Sequence, residues 1–261
     1  VARAHALGYA ALAITDECSV AGVVRAHTAL RELAEGGTQV ALRLIIGSEL
    51  RLADGLRLVV LAANRRGYGQ LCRLITRGRR AAPKGEYRLG RADIAELLRA
   101  GDCLLLWLDA DATAQADDSA DWLRAHFDGA AWIAVELLRE GRDRARLAAL
   151  AAIGARTGLP LVAAGDVHMH VRERRRLQDA LTAIRHNVPV AQAGPWLLRS
   201  GERHLRALDR LAKIYPRALL DESLAVAARC SFSLDELRYE YPREIVPEGH
   251  TPTSWLRELT E

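Results

Sequence analysis

The sequence predicts an α/β fold with a mainly parallel sheet, either open or closed into a barrel. Short apolar runs alternate with segments whose apolar residues recur at helical spacing. Several of the apolar runs lead into a carboxylate, and several of the helical segments end at glycine. A chain of 261 residues can also bury a core without disulfides. Together these features favour repeated strand–helix units.

Six strands and seven helices are predicted before residue 190. The Ala-Asp-Gly turn at 53–55 is typical of a hairpin, so the strands on either side of it should be antiparallel. The predicted strands cover residues 10–16, 41–52, 56–64, 103–109, 130–138 and 159–166. The predicted helices cover a short opening segment within 1–10, then 19–36, 68–80, 91–101, about 111–127, 142–158 and 172–187.

From Pro189 onward the alternation stops. Two helical segments, roughly 204–215 and 217–230, precede an extended connector at 232–252 that carries Tyr-Pro and Val-Pro pairs. A last helix is expected after it, with Thr253 or Ser254 as its N-cap. The first helix has neither an N-cap nor an initiator Met before it, so we expect further sequence ahead of residue 1.

Composition excludes some classes of protein and leaves others open. The formal net charge is +4, from 37 basic and 33 acidic residues, which permits contact with nucleic acid without arguing for it. Four scattered cysteines contain no CxxC pair, which speaks against a zinc or disulfide framework and fits a reducing cytoplasm. No apolar run is long enough to span a membrane.

Three predicted strands lead into side chains that can bind a metal. Asp16 and Glu17 follow the first strand, Glu49 lies in the second, and Asp166 and His168 follow the sixth. The carboxyl ends of parallel strands collect functional groups, and carboxylate with imidazole suits manganese, zinc or iron. The plainer alternatives stay open: Asp16 is also suited to capping the next helix, and Glu49 to the surface.

The order of these segments resembles the PHP domain at the N-terminus of bacterial family C DNA polymerase alpha subunits, and three further stretches resemble the ImuC-type error-prone branch of that family. The resemblance covers nearly the whole chain. The stretches shared with the PHP domain are ITDECSVAGVVRAH, IIGSEL, LVVLAANRRGYGQLCRLIT and LVAAGDVHMHVRERRRLQDALTAIR. Those shared with the error-prone branch are RRAAPKGEYRL, GERHLR and FSLDELRYEYPREIVPEGHTP.

The resemblance implies a PHP-type distorted seven-stranded β/α barrel that lacks its first strand in this chain, together with the H-x-H motif which that strand carries. It also implies a division of the chain into three parts. Residues 1–190 would form the PHP barrel, residues 191–252 a helical segment and connector, and residues 253–261 the start of a polymerase palm region.

The resemblance also implies a set of metal-ligand positions. Asp16, Glu49, Asp166 and His168 match them, whereas Glu17 and Arg57 stand where metal-binding members have histidine. Arginine cannot bind a metal because its guanidinium has no free lone pair. It can instead place a fixed positive charge among the carboxylates, which need a cation to offset their repulsion. We therefore expect zinc or manganese to bind weakly or not at all.

The whole protein implied by the resemblance is a DNA-directed DNA polymerase used in damage-induced translesion synthesis. It would use Mg²⁺, DNA and nucleotides, and would work with the sliding clamp and damage-response accessory proteins, with no membrane partner. No catalytic polymerase residue is expected in this chain, which would serve as a structural domain. The alternatives are a metal-dependent PHP phosphoesterase, including a 3'–5' proofreading exonuclease, and a stand-alone phosphatase of the same superfamily.

Overall fold

The computed structural model describes residues 1–110, 114–237 and 246–261. These residues form six strands and ten α-helices, which confirms the predicted α/β fold. The strands are β1 Ala11–Ile14, β2 Arg43–Arg51, β3 Arg57–Ala62, β4 Cys103–Leu108, β5 Ala131–Glu136 and β6 Leu161–Ala164. The helices are α1 Ala2–Ala6, α2 Val23–Glu35, α3 Arg65–Arg80, α4 Arg91–Leu97, α5 Ala114–Phe127, α6 Asp143–Thr157, α7 Arg175–Arg185, α8 Leu208–Ile214, α9 Arg217–Arg229 and α10 Pro252–Thr260.

The six strands form one sheet in the order β1-β2-β3-β4-β5-β6. β1 and β2 are parallel, as are β4, β5 and β6, while β3 is antiparallel to both of its neighbours. The sheet is therefore mainly parallel with one reversed strand, which follows from the hairpin turn at 53–55. The seventh strand that the PHP resemblance implies stays a prediction, as does its loss from the start of this chain.

The central strands are buried because helices cover them. β4 reads Cys-Leu-Leu-Leu-Trp-Leu, and five of its six residues are buried, as expected for a strand inside an α/β layer structure. The main core extends from this sheet to α9, which packs against β6 and contributes Val226 and Ala227 to the core. The helices α8 and α9 thus share one core with the sheet. None of the described helices has the length and apolar character needed to cross a membrane.

Several helix boundaries differ from the sequence prediction, as for α3, which begins at Arg65 and not at residue 68. The acidic helix expected over about 111–127 is present from Ala114 to Phe127, and residues 111–113 lie outside the described residues. α10 is capped by Thr251, so the expectation of Thr253 or Ser254 was wrong. The Thr251 hydroxyl accepts a hydrogen bond from the Ser254 amide at 3.1 Å, and Pro252 occupies the first helical position, where its missing N–H costs nothing. Most of the predicted connector, residues 238–245, also lies outside the described part.

A buried tyrosine joins the ends of two neighbouring strands. The Tyr215 hydroxyl accepts a hydrogen bond from the Leu137 amide at 3.0 Å and donates one to the Ala164 carbonyl at 2.7 Å. Burial raises the pKa of this hydroxyl, so it stays protonated and keeps its donor role. Tyr215 thereby fixes the distance between the carboxyl ends of β5 and β6, where the candidate site lies.

A second buried contact fixes residues 202–206, a segment from later in the chain that approaches this edge of the sheet. The Arg206 guanidinium donates to the Leu137 carbonyl at 2.9 Å and to the Glu202 carbonyl at 2.9 Å. Arg206 and Glu202 are both buried and form an ion pair at 3.6 Å. The residues between them, including Arg203, are consequently held against the end of the sheet.

We predict that Tyr215→Phe lowers the free energy of unfolding by about 1–3 kcal/mol, because it leaves a buried amide and a buried carbonyl without their partner. Urea unfolding measures the change. The matched control is Tyr68→Phe, since Tyr68 packs on Phe232 and its hydroxyl faces Cys72. Equal losses in the two variants would contradict the role assigned to Tyr215.

Candidate functional site

The reversed direction of β3 gathers charged side chains at one edge of the sheet. Arg57 begins β3, so it lies beside the carboxyl ends of the neighbouring strands and is in register with Leu108 of β4. Glu49 lies near the end of β2, diagonally across from Arg57. Asp109 follows β4, and Glu136 is the last residue of β5. This edge therefore combines acids from three parallel strands with an arginine from the reversed one.

Arg57 is paired with two of these acids at once. One terminal nitrogen, Nη2, lies 2.5 Å from Oε1 of Glu49, and the other, Nη1, donates to Oδ2 of Asp109. Burial lowers the pKa of Arg57, but the two carboxylates outweigh that effect and raise it, so the guanidinium stays charged. Arg57 thus links β2 to the loop after β4 across its own strand, through charge-assisted hydrogen bonds.

A second arginine engages the acid that follows β6. Arg203 Nη1 forms an ion pair with Oδ2 of Asp166, whose other oxygen lies 3.0 Å from Nε2 of His168. The backbone amide of His168 donates in turn to the Arg203 carbonyl at 2.9 Å. Burial lowers the pKa of His168, an effect that the nearby Glu49 and Glu136 partly offset. The imidazole is therefore neutral near pH 7, and Arg203 supplies the positive charge beside Asp166.

Both strand-end aspartates have left-handed backbone conformations. The backbone angle φ is 50° at Asp109 and 42° at Asp166. Aspartate tolerates this region better than most residues, but it still costs energy, and such residues collect where surrounding contacts hold them. Each of these two aspartates has an arginine as its ion-pair partner. The ion pairs with arginine therefore stabilise a backbone conformation at Asp109 and Asp166 that is otherwise unfavourable.

Glu136 and Arg146 complete the edge. Burial raises the pKa of Glu136, and the charges of Arg203, Arg146 and Arg57 only partly oppose this. Arg146 on α6 lies 3.8 Å from Oδ1 of Asp109. These residues together are called the edge network, which comprises Glu49, Arg57, Asp109, Glu136, Arg146, Asp166, His168 and Arg203. Four carboxyl groups here face three arginines, and a protonated Glu136 would balance the charge.

Asp16 and Glu17 adjoin Glu49 through the backbone, but their side chains bond to other partners. Asp16 accepts a hydrogen bond from the amide of Gly22, the residue before α2, at 3.0 Å, so it holds the segment that leads into this helix. Glu17 accepts from the Tyr87 hydroxyl at 3.0 Å and lies 3.4 Å from Arg185. The Arg57–Glu49 pair expected from the sequence is present, but Arg57 makes its second contact with Asp109 and not with these two acids.

The arrangement of the side chains does not fit a bound divalent metal. In the described part of the chain, no group of three or more His, Cys, Asp or Glu side chains is placed to hold one ion. An arginine already pairs with one carboxylate oxygen of Glu49 and another arginine with one of Asp166. A metal would have to compete with both guanidinium groups, and that of Arg57 is held by hydrogen bonds as well as by charge.

Comparison with known proteins shows which family has this architecture. The profile of the PHP domain matches residues 1–184, more than two thirds of the chain. The chain belongs to the PHP domain family.

The PHP chain is also similar to several curated proteins named error-prone DNA polymerase. It is 58% identical over 260 residues to the one from Methylococcus capsulatus, and 55% identical over 260 residues to the one from Pseudomonas aeruginosa. The relative from Dechloromonas aromatica is 54% identical over 263 residues. All three alignments include 100% of this chain but only 24–25% of the relative, so the chain spans about a quarter of their length.

Four residues of the edge network were missed by the sequence analysis: Asp109, Glu136, Arg146 and Arg203. Asp109 had the same signal as Asp16, because it ends an apolar run, and Glu136 resembled Glu49, because it is a carboxylate inside a predicted strand. Arg203 lies within the GERHLR stretch that carries part of the family resemblance. Arg146 had no distinguishing signal, since it is one of many arginines on a helical segment.

We predict that Glu136→Gln stabilises the PHP chain relative to wild type more at pH 7 than at pH 4. A carboxyl group whose folded-state pKa is raised contributes stability below about pH 4.3, its unfolded pKa, and loses it as pH rises through the folded pKa. Glutamine cannot ionise, so the variant escapes that loss. Urea unfolding at a series of pH values measures the difference.

The control for this measurement is Glu32→Gln, because Glu32 is an exposed acid on α2. Its free energy of unfolding should follow that of wild type at every pH. If the two glutamine variants showed the same pH dependence, the partly buried position of Glu136 would have no bearing on the stability of the edge network.

Proposed function

We propose that this chain works as the PHP portion of an error-prone, DNA-directed DNA polymerase that copies damaged DNA. The similarity to curated error-prone polymerases along the whole chain supports the proposal. In that protein DNA and nucleotides are the substrates, and Mg²⁺ serves nucleotidyl transfer outside this chain. The sliding clamp and damage-response accessory proteins are the proposed partners, and the cytoplasm is the proposed location.

Within the polymerase, the proposed role of this chain is structural. The observation that carries this role is the pairing of strand-end acids with arginines, Glu49 and Asp109 with Arg57, and Asp166 with Arg203. A hydrolytic PHP site would need those carboxylates as metal ligands, so that bound metal could activate water against a phosphodiester. Here Arg57 neutralises acids of β2 and of the loop after β4 and ties them together, and Arg203 ties its own segment to the residue that follows β6. The proposed role of the edge network is therefore to hold the ends of the strands in place.

The alternative functions require carboxylates that are available to bind a metal. A PHP phosphoesterase or a 3'–5' exonuclease needs at least one divalent metal with an open coordination position for water. Arginine can stabilise a phosphate but cannot generate the attacking hydroxide. We therefore propose that Asp16, Glu49, Asp166 and His168 bind zinc or manganese weakly or not at all.

We predict that the purified protein neither extends a primed template with Mg²⁺ and four nucleotides nor hydrolyses single-stranded DNA with Mn²⁺ or Zn²⁺. After dialysis against each metal, elemental analysis should find substoichiometric binding. Metal-dependent hydrolysis together with one tightly bound ion per chain would overturn the structural role. Template-directed extension would show that the polymerase centre lies within these residues.

A variant pair sharpens the metal measurement. Arg57→His restores a ligand and frees the oxygens of Glu49 and Asp109, whereas Arg57→Lys keeps the positive charge in place. Zinc binding should rise in the histidine variant and stay at the wild-type level in the lysine variant. Position 17 is left unchanged, because Glu17 is occupied by Tyr87 and Arg185.

A further inference from the structure

The outer side of α3 carries a concentration of positive charge that the edge network does not use. The 16 residues of this helix include six arginines and no acid. Arg65 and Arg66 occupy the first turn, where the helix dipole favours acidic side chains and opposes basic ones. Without acids, the helix also lacks the i,i+4 ion pairs that usually support an exposed helix. Local helix stability therefore does not account for these arginines.

Two of the six arginines have structural partners. Arg77 forms a bidentate pair with Glu96 of α4, at 2.5 and 2.8 Å. Arg79 donates to the backbone carbonyls of Cys18 at 3.1 Å and Glu17 at 3.2 Å. Both side chains fasten α3 to neighbouring segments, so their positive charges belong to the packing of the fold.

The other four arginines share one exposed face. At 100° per residue, Arg65, Arg66, Arg73 and Arg80 fall within about 100° of the helix circumference. All four are exposed. Arg66, Arg73 and Arg80 recur every seven residues, which places their Cα atoms about 10 Å apart in a row about 21 Å long. The three arginines of this row, with Arg65 beside its first member, are called the arginine row.

The one ion-pair contact of the row within the described residues is loose. Arg66 lies 3.3 Å from Oδ1 of Asp102, and its side chain is 83% exposed. Asp102 already accepts hydrogen bonds from Asn64 at 2.8 Å and Gln70 at 2.9 Å, which lower the pKa of its carboxyl group. Arg66 can therefore leave Asp102 for another anion without exposing an unsatisfied carboxylate.

A glycine lies within the arginine row, and packing does not explain it. α3 contains three glycines, and a side chain at Gly67 would collide with the Asp102 backbone, while one at Gly78 would press on Leu89. Gly69 is exposed between Arg66 and Arg73, and a Cβ atom there would meet nothing within 4 Å. Glycine inside a helix costs stability relative to alanine, and it is favoured where another backbone approaches closely. Gly69 leaves such an opening between the first two arginines of the row.

We propose that the arginine row binds the phosphate backbone of duplex DNA, with one strand passing over Gly69. Evenly spaced guanidinium groups complement a polyanion, and arginine pairs bidentately with phosphate. Between the arginines, this face carries only Gly69 and Thr76, so it has no side chain suited to reading bases, and binding should be independent of sequence. This surface is separate from the edge network, and the inference stands whether or not the chain belongs to a polymerase.

The test is binding of the 261-residue protein to a fluorescent duplex of about 20 base pairs, which is longer than the row, followed by anisotropy at several salt concentrations. Arg66→Gln/Arg73→Gln/Arg80→Gln should weaken binding at least about tenfold at low salt. It should also reduce the slope of log affinity against log salt by about 2.7, or about 0.9 for each phosphate that the protein no longer neutralises. Circular dichroism verifies that the variants are folded.

Three further variants distinguish binding at this surface from binding by net charge alone. Arg25→Gln/Arg144→Gln/Arg210→Gln removes the same charge from exposed positions on other helices, and should leave affinity within about twofold of wild type. Gly69→Leu keeps every charge but closes the opening, and should weaken binding several-fold. Gly69→Ala adds a smaller side chain and should have the lesser effect of the two.

Three results would overturn the proposal. The first is absence of wild-type binding to the duplex at low salt. The second is an equal loss of affinity in the two triple arginine variants, which would mean that net charge alone decides binding. The third is equal binding of poly-L-glutamate with the same dependence on the row, which would make the row a surface for acidic protein segments in place of DNA.

Discussion

The two-sided ion pair of Arg57 is the contact on which the rest of the site depends. Its guanidinium lies between Glu49 of β2 and Asp109 after β4, so a single side chain ties three adjacent strands at one edge of the sheet. Without a cation the carboxylates of that edge would repel one another and protonate or separate. Arg203 likewise forms an ion pair with Asp166, which follows β6, the last strand of the sheet. The edge is therefore stabilised by side chains where a hydrolytic enzyme would rely on metal.

This arrangement has a consequence for the chemistry that the domain can perform. Arginine supplies charge that never varies with pH and directional hydrogen bonds, but it leaves no open coordination position and activates no water. The backbone strain at Asp109 and Asp166 is compatible with such a role, because a fixed partner holds each acid in place. The buried Tyr215 and the Arg206–Glu202 pair anchor the surrounding segments. In the structural role that we propose, these contacts make the edge rigid and leave it without metal-dependent chemistry.

Much of the fold and part of the site could be predicted from the sequence. The apolar runs located all six strands, and the Ala-Asp-Gly turn reversed β3, which is why Arg57 meets Glu49. The partner of Asp166 could not be predicted in the same way, because Arg203 lies in an irregular segment far along the chain and has no periodic pattern. Asp16 and Glu17 were expected at the site, yet local contacts with Gly22 and Tyr87 satisfy them. Which of several neighbours such a side chain bonds to depends on backbone geometry, which the sequence does not show.

Arg57 stabilises the edge by pairing with both Glu49 and Asp109, and a double-mutant cycle tests this most directly. The free energy of unfolding is measured for wild type, for Arg57→Gln, for Glu49→Gln/Asp109→Asn, and for all three changes together. We predict that Arg57→Gln alone lowers the free energy of unfolding by about 1.5–3 kcal/mol and that most of this loss disappears when both acids are already neutral. A loss within about 0.5 kcal/mol, or an equal loss in both backgrounds, would contradict it.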